Sequence, residues 1–319
     1  MAHYDIFNGD ADGICSLIQL RLADPKDSTV ITGVKRDIKL LAKANLTNGD
    51  SATVLDISME KNADALQEGL SSGASIFYAD HHRAGDIPDH PSLEARINTA
   101  PTTCTGLIVD YYLNGQYREW AIVAAYGDNI IQVADEYSAQ LELSPEQQNQ
   151  LRKLGTAMNY NGYGSSLQDL YYAPEDLYRI AVNYASPLDF IANEPDVYAT
   201  LTTGYEEDMA KGLAIKPDRV NEVAALIVLP DERWARRVSG VLGNELANQY
   251  PDRAHAIFTE VAGTSDYQVS LRAPKSNPHG ADQVAVFFGG GGRKNASGIN
   301  NLSPQDVDTL WDKLNQMYG

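Results

Sequence analysis

The sequence predicts an α/β protein of two domains: an N-terminal, mainly parallel sheet flanked by helices, a helical bridge, and a smaller, mixed α/β C-terminal domain. Two observations support this prediction. The chain has 319 residues, enough for about two domains at roughly 150 residues each. In its first half, short apolar runs alternate with amphipathic stretches, which is the pattern of repeated strand and helix units.

The N-terminal strands are predicted from apolar runs that end in polar or glycine-bearing residues. These runs are residues 4–7, 29–34, 53–57 and 75–79. Between them, apolar residues recur at helical spacing over residues 14–22 and 63–70. Because parallel sheets bind ligands beyond the carboxyl ends of their strands, the residues that follow each strand are the candidates for function.

The rest of the chain divides into a helical and a second mixed segment. Residues 120–213 are mainly helical in pattern, and eight of the 18 tyrosines lie between Tyr160 and Tyr205, where they either pack the helices or stack on bases. Strands are predicted at 224–229, 255–261 and 267–271, and helices at 233–249 and 307–317. We therefore expect a catalytic domain over residues 1–190, a helical linker over 191–222 and a substrate-binding domain over 223–319.

Composition limits the possible partners. The net charge of −18 disfavours long duplex DNA, whereas a small phosphate-bearing substrate stays possible because bound divalent cations reverse the local field. Two cysteines form no disulfide framework, and no apolar run is long enough to cross a bilayer. We expect a cytoplasmic protein without a membrane partner, as a monomer or a homodimer.

Carboxylates and histidines follow several of the predicted strands. Residues 8–13, Asn-Gly-Asp-Ala-Asp-Gly, come after the first strand, Asp56 ends the third, and Asp80-His81-His82 ends the fourth. Asp128 follows a further apolar stretch. An isolated Asp-Gly turn and a calcium-binding EF-hand are alternative interpretations of residues 8–13, but an EF-hand requires Glu where Gln19 stands.

This donor set favours a hard divalent cation. Carboxylates with one or two imidazoles suit manganese or magnesium, whereas a structural zinc site usually includes cysteine. The chemistry indicated is hydrolysis by two ions that activate a water molecule and stabilise charge on phosphoryl oxygens.

In chain order, these motifs resemble the four motifs of the DHH phosphoesterase superfamily, which is named for its Asp-His-His triplet. Its branches include the RecJ exonucleases and the bacterial oligoribonucleases. The resemblance extends to residues 98–105, Asn-Thr-Ala-Pro-Thr-Thr-Cys-Thr, which match a hydroxyl-rich helix entry of the family. It implies two Mn²⁺ ions, with Mg²⁺ or Co²⁺ as possible substitutes.

The resemblance also implies a role for each residue. The metal ligands would be Asn8, Asp10, Asp12, Asp56, His81 and Asp128, with Asp56 bridging the ions. His82 would face the substrate phosphate, and Asp80 would orient an imidazole. Many family members have histidine where this chain has Asn8, so we expect a weaker first metal site.

A glycine run in the last third is the second candidate binding element. Residues 289–298 contain four consecutive glycines, and we expect a structured loop at a helix entry whose backbone amides hold an anion. The run resembles the Gly-Gly-Gly-His signature of the DHH-associated C-terminal domain, with Arg293 in place of the histidine. The expected substrate-binding residues, besides His82, are Arg272, Gly290, Gly291, Gly292, Arg293, Lys294 and Asn295.

The function that the sequence favours is a metal-dependent phosphohydrolase with its active site between the two domains. Short oligonucleotides or linear dinucleotides are the first substrate class, and inorganic polyphosphate is the alternative. A sensor that binds a metal ion or nucleotide but has lost catalysis is an alternative of another class, because of Asn8 and Arg293.

Overall fold

The structure is a computed structural model that describes residues 1–261 and 263–319. The chain forms two compact units, Met1–Tyr205 and Glu206–Gly319. The boundary between them falls within one long helix, Pro195–Ala214. None of the helices in the described ranges is long and apolar enough to cross a membrane.

The first unit contains a five-stranded sheet in the order β2-β1-β3-β4-β5. Every neighbouring pair in it is parallel, which confirms the predicted parallel sheet. The edge strand β5 is absent from the sequence prediction because charged residues alternate along it and only one face is shielded. The strands are β1 (His3–Phe7), β2 (Thr29–Ile31), β3 (Ser51–Leu55), β4 (Ser75–Asp80) and β5 (Leu93–Ile97).

Helices cover both faces of this sheet. One hydrophobic core is centred on the fully buried Trp120, and a second, which includes Tyr78, lies on the other face. The predicted helical region belongs to the first core, where Tyr178 is buried. The helices are α1 (Ala11–Ala23), α2 (Ala63–Ser71), α3 (Thr105–Tyr112), α4 (Arg118–Gly127), α5 (Ile131–Gln140), α6 (Pro145–Asn161), α7 (Pro174–Ala181), α8 (Pro187–Asn193) and α9 (Pro195–Ala214).

The second unit is the predicted mixed α/β domain. Its six-stranded sheet has the order β10-β11-β9-β8-β7-β6, and β7 and β8 are its parallel pair. Hydrophobic clusters lie around Phe258 and around Trp234. Its elements are β6 (Arg219–Val220), β7 (Ala224–Val228), α10 (Arg233–Gln249), β8 (Ala254–Glu260), β9 (Tyr267–Arg272), α11 (Ala281–Phe287), β10 (Gly291–Arg293), β11 (Ala296–Leu302) and α12 (Val307–Tyr318).

The glycine run differs from the sequence prediction, because it leaves a helix and does not enter one. Gly289, with φ 75°, follows α11, and the chain then forms β10, which pairs antiparallel with β11. Gly292 has φ 146°, and a Cβ there would lie 2.6 Å from the Cα of Ser297. The run therefore allows a tight β-hairpin, with Lys294 and Asn295 at its turn.

A buried ion pair joins α1 to the sheet in the first unit. Asp5 on β1 is fully buried, and Nε of Arg21 lies 2.9 Å from its Oδ2. Nη2 of Arg21 also donates to Oγ1 of Thr53 on β3 over 2.8 Å. Although burial alone would raise the pKa of Asp5, the hydrogen bond from Arg21 lowers it well below its ordinary value.

We expect Arg21→Met to destabilise the protein by about 3 kcal/mol at neutral pH, because it leaves the Asp5 carboxylate buried and unpaired. The control is Arg179→Met, which removes an exposed pair with Glu175 and should change the free energy of unfolding by less than about 0.5 kcal/mol. Urea unfolding of both variants measures the difference. Equal effects would show that the buried pair is not a major contribution.

Candidate metal centre

The candidate site lies where the order of the first sheet changes direction. From β1 the chain goes to β2 on one side, and the later strands lie on the other side, so the switch point falls between β1 and β3. Residues 8–13 follow β1, and Asp56 follows β3. A Cβ on Gly9 would lie only 1.8 Å from the carbonyl oxygen of Gly33, so glycine is required there. The loop after β2 therefore lies directly against the loop after β1.

That neighbouring loop carries Lys35, a residue that the sequence analysis does not predict. Its Nζ lies 2.6 Å from Oδ2 of Asp10 and 2.7 Å from Oδ1 of Asn159. Burial alone would lower the pKa of Lys35, but the negative charge of Asp10 overcomes this effect and raises it. A signal was present in the sequence, because Lys35 follows the second strand at the edge where the other candidates lie.

Asp10 is engaged through both carboxylate oxygens. Its Oδ1 accepts hydrogen bonds from the backbone of Asp12 (3.0 Å) and Gly13 (3.2 Å), which caps α1, while Oδ2 binds Lys35. Burial alone would raise the pKa of Asp10. The positive charge of Lys35 outweighs the effect of burial, and the pKa is lowered. Asn8 supports the same loop, since its Nδ2 donates to the carbonyl oxygen of Lys35 over 3.1 Å.

Asp12 is held by the N-terminus of α3. The backbone amides of Thr105 and Gly106 donate to its two carboxylate oxygens over 2.8 and 2.7 Å. The hydroxyl of Thr105 also donates to Oδ1 of Asp56 over 3.2 Å. The hydroxyl-rich segment noted in the sequence thus positions two carboxylates, and the helix N-terminus stabilises their negative charge.

His81 is the centre of the cluster. Its Nε2 lies 3.5 Å from Asp56 Oδ1, 3.7 Å from Asp128 Oδ2 and 3.8 Å from Asp12 Oδ2. These separations exceed the usual N–H···O distance of about 2.9 Å. They are close to the roughly 3 to 3.5 Å between ligand atoms that bind one ion at about 2.1 Å.

His82 lies beside this cluster, and a hydrogen bond to a buried carboxylate fixes its ring. Its Nδ1 donates a hydrogen bond to Oδ1 of Asp80 over 2.7 Å, and Asp80 is fully buried. That hydrogen bond raises the pKa of His82 above its ordinary value. The Asp80 carboxylate is therefore placed where it could orient the His82 imidazole.

Burial and mutual repulsion raise the pKa values of two of these carboxylates. Burial, followed by the charges of Asp12 and Asp10, raises the pKa of Asp56 well above its usual range. Burial and the charge of Asp12 raise the pKa of Asp128 to about 6. In the unfolded chain Asp128 ionises near pH 3.8, whereas in the folded protein it stays protonated up to a pH of about 6. When no cation is bound, stability therefore falls as the pH rises between these two values.

The donors fit a divalent cation. Ligand atoms of Asp56, His81 and His82 all lie within 4.8 Å of one another. Asp12 and Asp128 both lie near the imidazole of His81. A mixed set of carboxylate and imidazole suits manganese, and a cation there would offset the repulsion between the carboxylates. Of the predicted ligands, only Asn8 and Asp10 have their side chains engaged with Lys35 or its loop.

In the second unit, the predicted phosphate-binding residues differ in how far their side chains are engaged. The guanidinium of Arg272 is enclosed by partners that include Asn244 Oδ1 at 2.6 Å and the carbonyl oxygen of Gly240 at 2.9 Å. Arg293 and Lys294 are exposed beside the glycine hairpin. Arg293 and Lys294 are therefore more accessible to an anion than Arg272 is.

We expect His81→Ala to weaken Mn²⁺ binding by at least about tenfold, because it removes the imidazole that faces three carboxylates. Isothermal titration of the metal-free protein measures the affinity. His279→Ala, which changes an exposed histidine of the second unit, is the matched control and should bind like the wild type. Unchanged affinity in His81→Ala would place the ion elsewhere.

No protein-family model and no curated protein matches the sequence. Solved structures do match the fold. A RecJ exonuclease bound to manganese has a TM-score of 0.65 at 14% identity, with 99% of this chain and 90% of that chain covered. RecJ from Thermus thermophilus in complex with Mn²⁺ has a TM-score of 0.63 at 15% identity, and 99% of this chain matches 52% of its length.

A third structure matches over its whole length. The pGpG-specific phosphodiesterase PggH from Vibrio cholerae has a TM-score of 0.58 at 14% identity, with 100% of both chains covered. At such low identities, these likenesses establish the fold. The strand-end motifs and the shared architecture agree, and the chain has the fold of the DHH phosphoesterase superfamily.

Proposed function

We propose that this protein is a divalent-metal-dependent phosphodiesterase that hydrolyses short oligonucleotides or linear dinucleotides. The observation that carries the proposal is the cluster in which Nε2 of His81 faces three carboxylates at the switch point of the sheet. The fold supports it, because two of its structural neighbours are a manganese-bound exonuclease and a pGpG-specific phosphodiesterase.

Each residue of the cluster has a distinct part in the proposed reaction. A bound divalent ion would lower the pKa of a water molecule and stabilise charge on the phosphoryl group. Asp56, His81 and Asp128 would hold that ion, and Asp12 would complete its negative surroundings. His82, whose pKa is raised by Asp80, would donate a hydrogen bond to a phosphate oxygen from its other ring nitrogen.

The number of ions depends on Lys35. Asp10 would bind a second ion more readily when its Oδ2 is released from the ammonium group 2.6 Å away. We propose that Lys35 supplies the positive charge of the first site when one ion is bound, and that a second ion binds more weakly. Manganese is our proposed metal, as in the two RecJ neighbours.

Inorganic polyphosphate is the second candidate substrate. The exposed Arg293 and Lys294, beside the glycine hairpin, suit a chain of phosphates without bases. In either case, we propose that these two cations contact a substrate phosphate. The catalytic, linker and substrate-binding domain boundaries and a cytoplasmic location stay predictions from the sequence.

The test is hydrolysis by the manganese-loaded protein of a linear dinucleotide, a cyclic dinucleotide and polyphosphate in parallel. We expect mononucleotide from the linear dinucleotide, and a loss of at least about 10³-fold in Asp56→Asn, because that change removes the central carboxylate charge. Orthophosphate from polyphosphate alone would overturn the assignment to nucleotides. Inactivity on all three substrates would favour the sensor.

We expect Lys35→Met to strengthen the binding of a second Mn²⁺ ion, because it frees Oδ2 of Asp10 and removes a competing positive charge. Equilibrium dialysis with metal analysis counts the ions per chain. The matched control is Lys39→Met, which changes an exposed lysine four residues away and should leave the count as in the wild type. Equal counts in both variants would show that Lys35 does not compete with a metal ion.

A further inference from the structure

A groove of about 920 Å³ runs along the first unit beside α3 and is not used by the proposed chemistry. Its walls come from the end of β5 and the segment after it, from α3, from the first residue of α4 and from α5. The lining residues that matter below are Asn98, Thr103, Asp110, Tyr111, Arg118 and Tyr137.

One end of this groove is built by the same backbone as the metal centre. The amide of Asn98 donates to the carbonyl oxygen of Asp80 over 3.2 Å, directly before the two histidines. Thr103 lies two residues before Thr105, whose amide holds Asp12. A molecule in the groove would therefore extend along α3 from the segment that positions the candidate ligands.

The groove displays an aromatic ring that the fold does not use. Tyr111 is 86% exposed, and within the described ranges its side chain has no hydrogen bond or ring contact. Its neighbour Tyr112 is instead fixed, with Phe77 and the guanidinium of Arg96 each 5.2 Å from its ring centre. Tyr111 thus offers an exposed ring for stacking, next to the fixed ring of Tyr112.

The floor of the groove holds a buried carboxylate that is paired with an arginine. Asp110 is 1% exposed, and its Oδ2 accepts hydrogen bonds from Nε and Nη2 of Arg118 over 3.2 and 3.1 Å. Its Oδ1 is buried and has no hydrogen-bond partner among the described residues. Because that oxygen is buried, it is closed to a ligand, and what the pair leaves at the groove is a guanidinium whose charge is already neutralised.

The charges of the groove do not suit a phosphate chain. Arg118 is paired with Asp110, and Arg96 is paired with Glu94 over 2.7 Å. The guanidinium of Arg118 also lies 4.6 Å from the ring centre of Tyr137, which fixes its position. With both cations neutralised, the groove favours a flat, uncharged group.

We propose that this groove is a nucleoside-binding subsite, in which a nucleobase stacks on Tyr111. As a subsite for the substrate, it rests on the proposed function, and it gives that function its selectivity for nucleotides over polyphosphate. Base stacking on an aromatic side chain is sequence-tolerant, so the subsite would accept more than one base.

The test compares Tyr111→Ser with Tyr111→Phe, which keeps the ring and is the matched control. Isothermal titration of metal-free protein with guanosine 5′-monophosphate measures binding without turnover. We expect the serine variant to bind about 5- to 100-fold more weakly than the wild type, and the phenylalanine variant to bind within about twofold. Ribose 5-phosphate, which lacks the base, should bind all three proteins equally.

These outcomes separate the subsite from the catalytic proposal. Loss of nucleotide affinity in Tyr111→Ser supports the subsite even when the wild-type protein hydrolyses no dinucleotide. Equal nucleotide affinity in all three proteins would overturn the subsite, as would an equal loss for ribose 5-phosphate. Because Tyr111 is exposed, both variants are expected to fold, and far-ultraviolet circular dichroism checks this.

Discussion

Electrostatic repulsion among carboxylates at one edge of the parallel sheet is the constraint on which the rest of the first unit depends. Asp10, Asp12, Asp56 and Asp128 are brought together by strand and helix ends, and burial together with the neighbouring charges raises the pKa of Asp56. The fold offsets this repulsion in three ways: the N-terminus of α3 binds Asp12, the first turn of α1 is capped by Asp10, and Lys35 neutralises Asp10. A divalent cation between His81 and its carboxylate neighbours would complete the compensation.

Lys35 places a positive charge of the protein itself at the candidate metal centre. Asn8 stands where the sequence resemblance leads us to expect histidine, and its amide supports the loop that carries Lys35. A neutral amide is a weaker metal ligand, and an internal ammonium group reduces the need for a second ion. Asn8 and Lys35 are physically linked, because the Asn8 amide supports the loop from which Lys35 reaches Asp10.

Much of the fold and of the first unit's site could be predicted from the sequence, because parallel strands place their carboxyl ends at a single edge. Asp56 and His81 follow two such strands, and they meet as expected. Lys35 also follows a strand at this edge, but its pairing with Asp10 could not be inferred, since it depends on the close contact between Gly9 and Gly33. The prediction of a helix entry at the glycine run is wrong because four glycines carry no side-chain periodicity from which to assign a strand.

Crystals grown with Mn²⁺ and measured at the manganese absorption edge would test the central claim most directly. The account predicts an anomalous peak within bonding distance of Asp56 and His81, with Asp128 beside it and Lys35 still paired with Asp10 at low metal concentration. A saturated crystal without a peak in this cluster, or with its strongest peak elsewhere in the protein, would contradict the assignment of a metal centre at the switch point of the sheet.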